Sequence, residues 1–99
     1  MHTMLRIYTG TPELAARLTA RKQDVEKLMR GVPGFAGYRL LATPDGAASV
    51  TICETKVGCE ESARTAAAWI RENMPELATK PPAIVLGESL ISFGAKPAR

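Results

Sequence analysis

Residues 32–54 read VPGFAGYRLLATPDGAASVTICE, and this stretch decides the fold. Val32-Pro33-Gly34 is a turn signal, because Pro cannot continue a helix and Gly adopts conformations closed to other residues. Phe35 to Ala42 then reads as a strand. Thr43-Pro44-Asp45-Gly46 is a second turn, in which Pro presets φ and Gly takes the left-handed position. Ala48 to Thr55 returns as another strand. So short a connection between two apolar strands predicts an antiparallel hairpin.

The rest of the chain is read outward from that hairpin. Upstream, Met4-Leu5-Arg6-Ile7-Tyr8 alternates and predicts the first strand. Thr11-Pro12-Glu13 opens a helix over 12–30, with Thr11 as its cap, Pro12 in the first turn and Glu13 at the positive end of the dipole. Leu14, Leu18, Val25, Leu28 and Met29 form its apolar stripe. Gly31 stops it in the position that tolerates positive φ, and Pro33 prevents its resumption. Downstream, a second helix runs from Cys59 to Asn73, with Glu60 and Glu61 in its first turn and Ala63, Ala66, Ala67, Ile70 and Met74 as its buried stripe. Pro75 ends it, with one further turn through Leu77. Pro81 and Pro82 introduce the last strand, Ala83 to Phe93, in which Gly87 marks a bulge.

The order is βαββαβ. It predicts an α+β, ferredoxin-like domain with two helices on one face of a four-stranded antiparallel sheet. Ninety-nine residues make one domain, with a core over 3–93 and a mobile tail over 94–99. The helices cover one face only. Val50 and Ile52 alternate with Thr51 and Cys53, while Val85, Ile91 and Phe93 alternate with Ile84, Leu86 and Leu90, so both faces of the sheet carry apolar side chains. A back face open to water would be more polar. A partner over that face is expected, most simply an identical subunit.

Composition narrows the classes. MHTMLRIYTG has no apolar h-region, so no signal peptide is expected, and no apolar run is long enough for a membrane span. The chain reads as soluble and cytoplasmic. The net charge is +3, but on the first helix both signs are interspersed and no aromatics interleave with them. Nucleic-acid binding wants a clustered basic stripe, so a solvated helix face is the better reading. Cys53 and Cys59 are too few for a disulfide framework or a zinc site and read as reduced thiols.

The turn Val32-Pro33-Gly34-Phe35, the Ala68-Trp69 pair late in the second helix and the βαββαβ order together resemble the dimeric α/β-barrel superfamily, in particular the antibiotic biosynthesis monooxygenase-like proteins. The resemblance spans about residues 3–93. It implies a homodimer whose sheets form a barrel, with a cavity between sheet and helices in each subunit. It also implies a mixed set of activities: cofactor-free oxygenation of aromatic polyketides or quinols, haem degradation, or none known. The haem-degrading branch resembles itself in a histidine near the end of the second helix and an asparagine on the first strand. This chain has one histidine, His2, and reads Arg6-Ile7-Tyr8 on that strand. No cofactor is therefore expected.

Arg21 projects between Leu14, Val25 and Leu28, inside the apolar stripe. It reads either as an anion anchor in the cavity or as half of an internal ion pair with Glu54 or Glu88, or it snorkels to solvent. Trp69 lies on the shoulder of the second helix, with Asn73 one turn later. Together they could bind a planar substrate, or Trp69 could pack under a loop or at the dimer edge. Tyr8 and Tyr38 lie on strands and could donate to a substrate oxygen, although most strand tyrosines are packing residues. Cys59 opens the second helix without a histidine to act as its base. No phosphate loop, metal set or Ser-His-Asp set can be assembled. The expected activity is a cofactor-free monooxygenase-like reaction on a small aromatic or quinol. The alternative is a non-catalytic dimer that binds a small hydrophobic ligand.

Overall fold

The hairpin forms where its turns require it. β2 (Phe35–Thr43) and β3 (Gly46–Cys53) pair antiparallel, with Thr43 opposite Gly46 and Tyr38 opposite Thr51. β1 (His2–Tyr8) pairs antiparallel with β3 on one side and with β4 (Ala83–Glu88) on the other. The sheet order is β2-β3-β1-β4. α1 (Leu14–Ala20) and α2 (Lys22–Arg30) fill the first crossover, and α3 (Lys56–Asn73), followed by a single 3-10 turn at Pro75–Leu77, fills the second. This is the expected α+β ferredoxin-like sheet. It is seen in a computed structural model that describes residues 1–78 and 80–95.

Two turn glycines act differently from expectation. Gly34, with φ +75°, takes the left-handed conformation, while Gly31 ends α2 at φ −78°. Gly46 does not have positive φ. It is needed because a Cβ there would collide with the Tyr8 carbonyl group. Thr11 is also not a side-chain cap. Its carbonyl accepts from the Leu14 N–H, and its own N–H donates to the Asp45 carbonyl, tying the start of α1 to the hairpin turn. α3 starts at Lys56, ahead of the expected Cys59, because Thr55, expected on the strand, caps it: Thr55 Oγ1 accepts from the Gly58 N–H at 3.0 Å.

The expected 12–30 helix is broken. Arg21 sits at φ −112°, ψ 32°, outside the helical well, and separates α1 from α2. Its N–H donates to the Leu18 carbonyl, one residue short of α-helical spacing. The physical reason is solvation. A straight helix would drive the guanidinium into the apolar stripe, and the break turns it outward to water.

β4 is shorter than expected. It ends at Glu88, and Leu90, Ile91 and Phe93 lie beyond it, exposed. Its ladder with β1 runs through Thr3 opposite Gly87 without a bulge; the sheet's irregularity falls at Phe35/Gly37 instead. Of the expected tail, Gly94 and Ala95 are exposed, and residues 96–99 lie outside the described residues.

The helix-facing side of the sheet holds two apolar clusters. One gathers Leu14, Ala15, Leu18, Ala47, Ile70 and Met74. The other gathers Met4, Val32, Cys53 and Cys59. Between them, Arg6 stands opposite Ser49 on the adjacent strand, so a polar band crosses the core. The back of the sheet carries Leu5, Ile7, Leu41, Val50, Ile52 and Val85, and Arg39 is the only charged residue at its paired positions. Leu41 is 47% and Val85 55% exposed there.

Candidate functional site

Arg6 defines the site. Alternation on β1 puts Met4, Arg6 and Tyr8 under the helices and Leu5 and Ile7 on the back. Arg6 is only 2% exposed. Its Nε donates to Ser49 Oγ at 3.1 Å. Its Nη1 is buried and has no hydrogen-bond partner. No carboxylate lies in ion-pairing contact with it among the described residues. An unpaired buried charge costs several kcal/mol, which a fold retains only for a reason.

Tyr8 and Tyr38 flank this band. Burial pushes both phenols up from their ordinary pKa, and the Arg6 charge pulls each back only in part. Both therefore remain neutral hydroxyl donors at physiological pH. Arg6, Tyr8, Tyr38, Ser49 and Trp69 border one small interior cavity of about 20 Å³ beneath α2 and α3.

Two larger openings lead toward it. A cleft of about 440 Å³ between α2 and β2 reaches Tyr38. A groove of about 290 Å³ between α3, the 3-10 turn and the start of β4 reaches Arg6 and Tyr8. The interior is thus narrow in the middle and open on both flanks.

The sequence-expected residues fall into two groups. Arg21, Trp69 and Asn73 come together on the helical layer. The Arg21 guanidinium lies 5.1 Å from the Trp69 ring centroid, a cation–π distance. Arg21 Nη2 donates to Asn73 Oδ1 at 3.3 Å, and Asn73 Nδ2 donates to the Trp69 carbonyl at 2.9 Å. Arg21 is exposed and pairs with Asp24 at 2.7 Å, not with Glu54 or Glu88. Tyr8 and Tyr38 join Trp69 from the sheet below. Glu54 and Glu88 are exposed at the opposite end of the sheet, beside the β1 terminus at His2.

Arg6 is the residue that sequence reasoning passed over. Its signal was its place between Met4 and Tyr8 in the strand alternation.

Other chemistry is sparse. Cys59 is fully buried, and its Sγ lies 3.4 Å from the His2 carbonyl. Burial, and then the neighbouring Cys59, push the Cys53 thiol up to about 11. Among the described residues no cluster of three or more His, Cys, Asp or Glu could hold a metal, and no helix is long and apolar enough to cross a membrane. A histidine-ligated haem does not fit: His2 lies on β1 beside Cys59, away from Trp69 and the end of α3.

No protein-family model matches the chain, and no curated protein does. Solved structures do. The ActVA-Orf6 monooxygenase of Streptomyces coelicolor, in complex with nanaomycin D, superposes with TM-score 0.65 at 20% identity, covering 96% of this chain and 91% of that one. A candidate antibiotic biosynthesis monooxygenase from Bordetella bronchiseptica gives TM-score 0.69 at 18% identity over 91% and 97%. The haem degrader MhuD of Mycobacterium tuberculosis, with two haems in its active site, gives TM-score 0.68 at 16% identity over 95% and 100%. At these identities the likeness is one of fold: the chain shares the architecture of these proteins over nearly its whole length.

Proposed function

We propose that this chain pairs through the apolar back of its sheet into a homodimer, and that each subunit binds a small aromatic or quinol between sheet and helices and oxygenates it without a cofactor. One observation carries the reading: Arg6 and Tyr8 border both a groove of about 290 Å³ and a small interior cavity that Trp69 and Tyr38 also line. In this reading the substrate ring lies in the groove, the neutral Tyr8 donates a hydrogen bond to its oxygen, and Trp69 and Tyr38 close the inner end. The apolar clusters on either side keep water from the reacting carbon. The ligand-bearing S. coelicolor monooxygenase of the same fold supports this class of substrate. Two buried free thiols suit a reducing compartment, which supports a cytoplasmic location.

A second reading has its own support. Among the described residues no His, Asp or Glu borders the interior cavity, so no side chain described there serves as an ordinary general base. That favours a non-catalytic dimer that binds the same ligands. Oxygen uptake separates the two. Purified protein is given a panel of hydroquinones and dihydroxynaphthalenes in buffer containing a chelator. Uptake above the rate of autoxidation, lost in Trp69→Ala, supports the oxygenase. Binding of the same compounds with no uptake leaves the binding protein.

A further inference from the structure

The α3–β4 groove is lined by three cations, Arg6, Arg71 and Lys80, and among the described residues no carboxylate borders it. Its other walls are mainly apolar, among them Ala67, Ile70 and Ile84. The cleft beside β2 differs. Lys22 and Arg30 line it together with Glu26, and Arg30 donates to Glu26 at 2.8 Å, so one of its two cations is matched.

Arg6 is the inner end of the groove, since it borders both the groove and the interior cavity. A guanidinium does not lose its proton in a protein. Ser49, its one side-chain hydrogen-bond partner among the described residues, is neutral. Tyr8 and Tyr38 stay protonated and cannot balance its charge. The buried Nη1 therefore has an unused donor and an unneutralised charge. The groove volume, about 290 Å³, is at the small end of ligand pockets, roughly 300–1,000 Å³, and suits one or two rings.

We infer that the ligand is a small aromatic monoanion, charged on a phenolate, enolate or carboxylate oxygen, which enters by the α3–β4 groove past Arg71 and Lys80 and sets that oxygen on the Arg6 guanidinium. The inference rests on the ligand-binding part of the proposed function and not on its oxygenation step. Charge-assisted hydrogen bonds to a guanidinium are stronger than neutral ones and reject the uncharged analogue.

Isothermal titration of the full-length protein tests it, under mildly alkaline conditions that ionise both acids. The probes are benzoate and 4-nitrophenolate, against the neutral isosteres benzamide and 4-nitroaniline. At least one anion binds about tenfold to a hundredfold tighter than its isostere. Benzoate alone assigns a carboxylate ligand, and nitrophenolate alone a phenolate or enolate. Arg6→Met removes the preference and leaves the melting temperature equal or higher, because it deletes an unpaired buried charge. The double variant Arg71→Gln/Lys80→Gln, exposed in the fold, weakens anion binding about threefold to tenfold and flattens its dependence on salt.

Neutral probes binding as tightly as the anions would overturn the inference. So would an Arg6→Met protein that melts lower and keeps the preference, or a double variant with unchanged anion affinity. Failure of both probe classes would remove the pocket altogether. Anion binding without oxygen uptake would remove only the oxygenase.

Discussion

Replacing Val85 by Glu puts a carboxylate on the back of the sheet at a position the subunit itself leaves open. Val85 is 55% exposed and lies opposite Leu5. Full burial of a valine contributes about 1.5 kcal/mol, so covering the exposed part contributes about 0.8 kcal/mol per subunit and about 1.6 kcal/mol per dimer. Val85→Ala removes only some of that, and weakens the dimer by less than about tenfold at 1.4 kcal/mol per decade. Val85→Glu also forces two carboxylates into the covered face. The only charged residue at that face's paired positions, Arg39, is on β2 at the far edge of the sheet. Burying an unpaired carboxylate costs several kcal/mol, so the dissociation constant rises at least about a hundredfold. Sedimentation velocity over a concentration series reads the change, and circular dichroism checks that the monomer remains folded. A Val85→Glu protein that dimerises like the parent would refute the assignment of this face.

Three further outcomes follow from local geometry. Gly46→Ala presses a Cβ into the Tyr8 carbonyl group, parting the hairpin from β1, and lowers stability by about 1–3 kcal/mol in urea unfolding; an unchanged midpoint would contradict that contact. Thr55→Ala removes the α3 cap and costs about 1 kcal/mol, whereas Thr55→Ser retains most of it. The Cys53 thiol has its pKa raised by folding from 9.0 to about 11. Its contribution to stability is therefore present below pH 9 and is lost as pH rises toward 11. Melting temperature should fall through that window and fall less in Cys53→Ala; a parent slope no steeper than the variant's would count against a shifted thiol.

The hairpin, the order of elements along the chain and the body of the second helix were legible because each rests on local chemistry. Pro33, Pro44 and Pro75 act within a few residues of themselves, and no distant contact overrides them, whereas the cap at Thr55 was read as the end of a strand. The break at Arg21 was not legible, since the stripe from Leu14 to Met29 continues through it in helical register. Only the solvation of one charge interrupts it. The β4 boundary failed for a related reason: Leu90, Ile91 and Phe93 continue the apolar pattern but find no strand to pair with in the chain. Trp69, Asn73 and Arg21 were grouped for their chemistry, and they do meet, though on the helical layer and in solvent reach. Arg6 was obscured by the sheet's two apolar faces. With Leu5 and Ile7 on one side and Met4 and Tyr8 on the other, alternation alone does not say which side the helices cover.

Native mass spectrometry of gently purified protein tests the central claim most directly, because it reads assembly and occupancy together. The predicted result is a dimer carrying a small aromatic acid or phenol on each subunit, released when Arg6 is replaced by Met. An empty monomer at micromolar concentration would contradict both the covered sheet and the pocket beneath the helices.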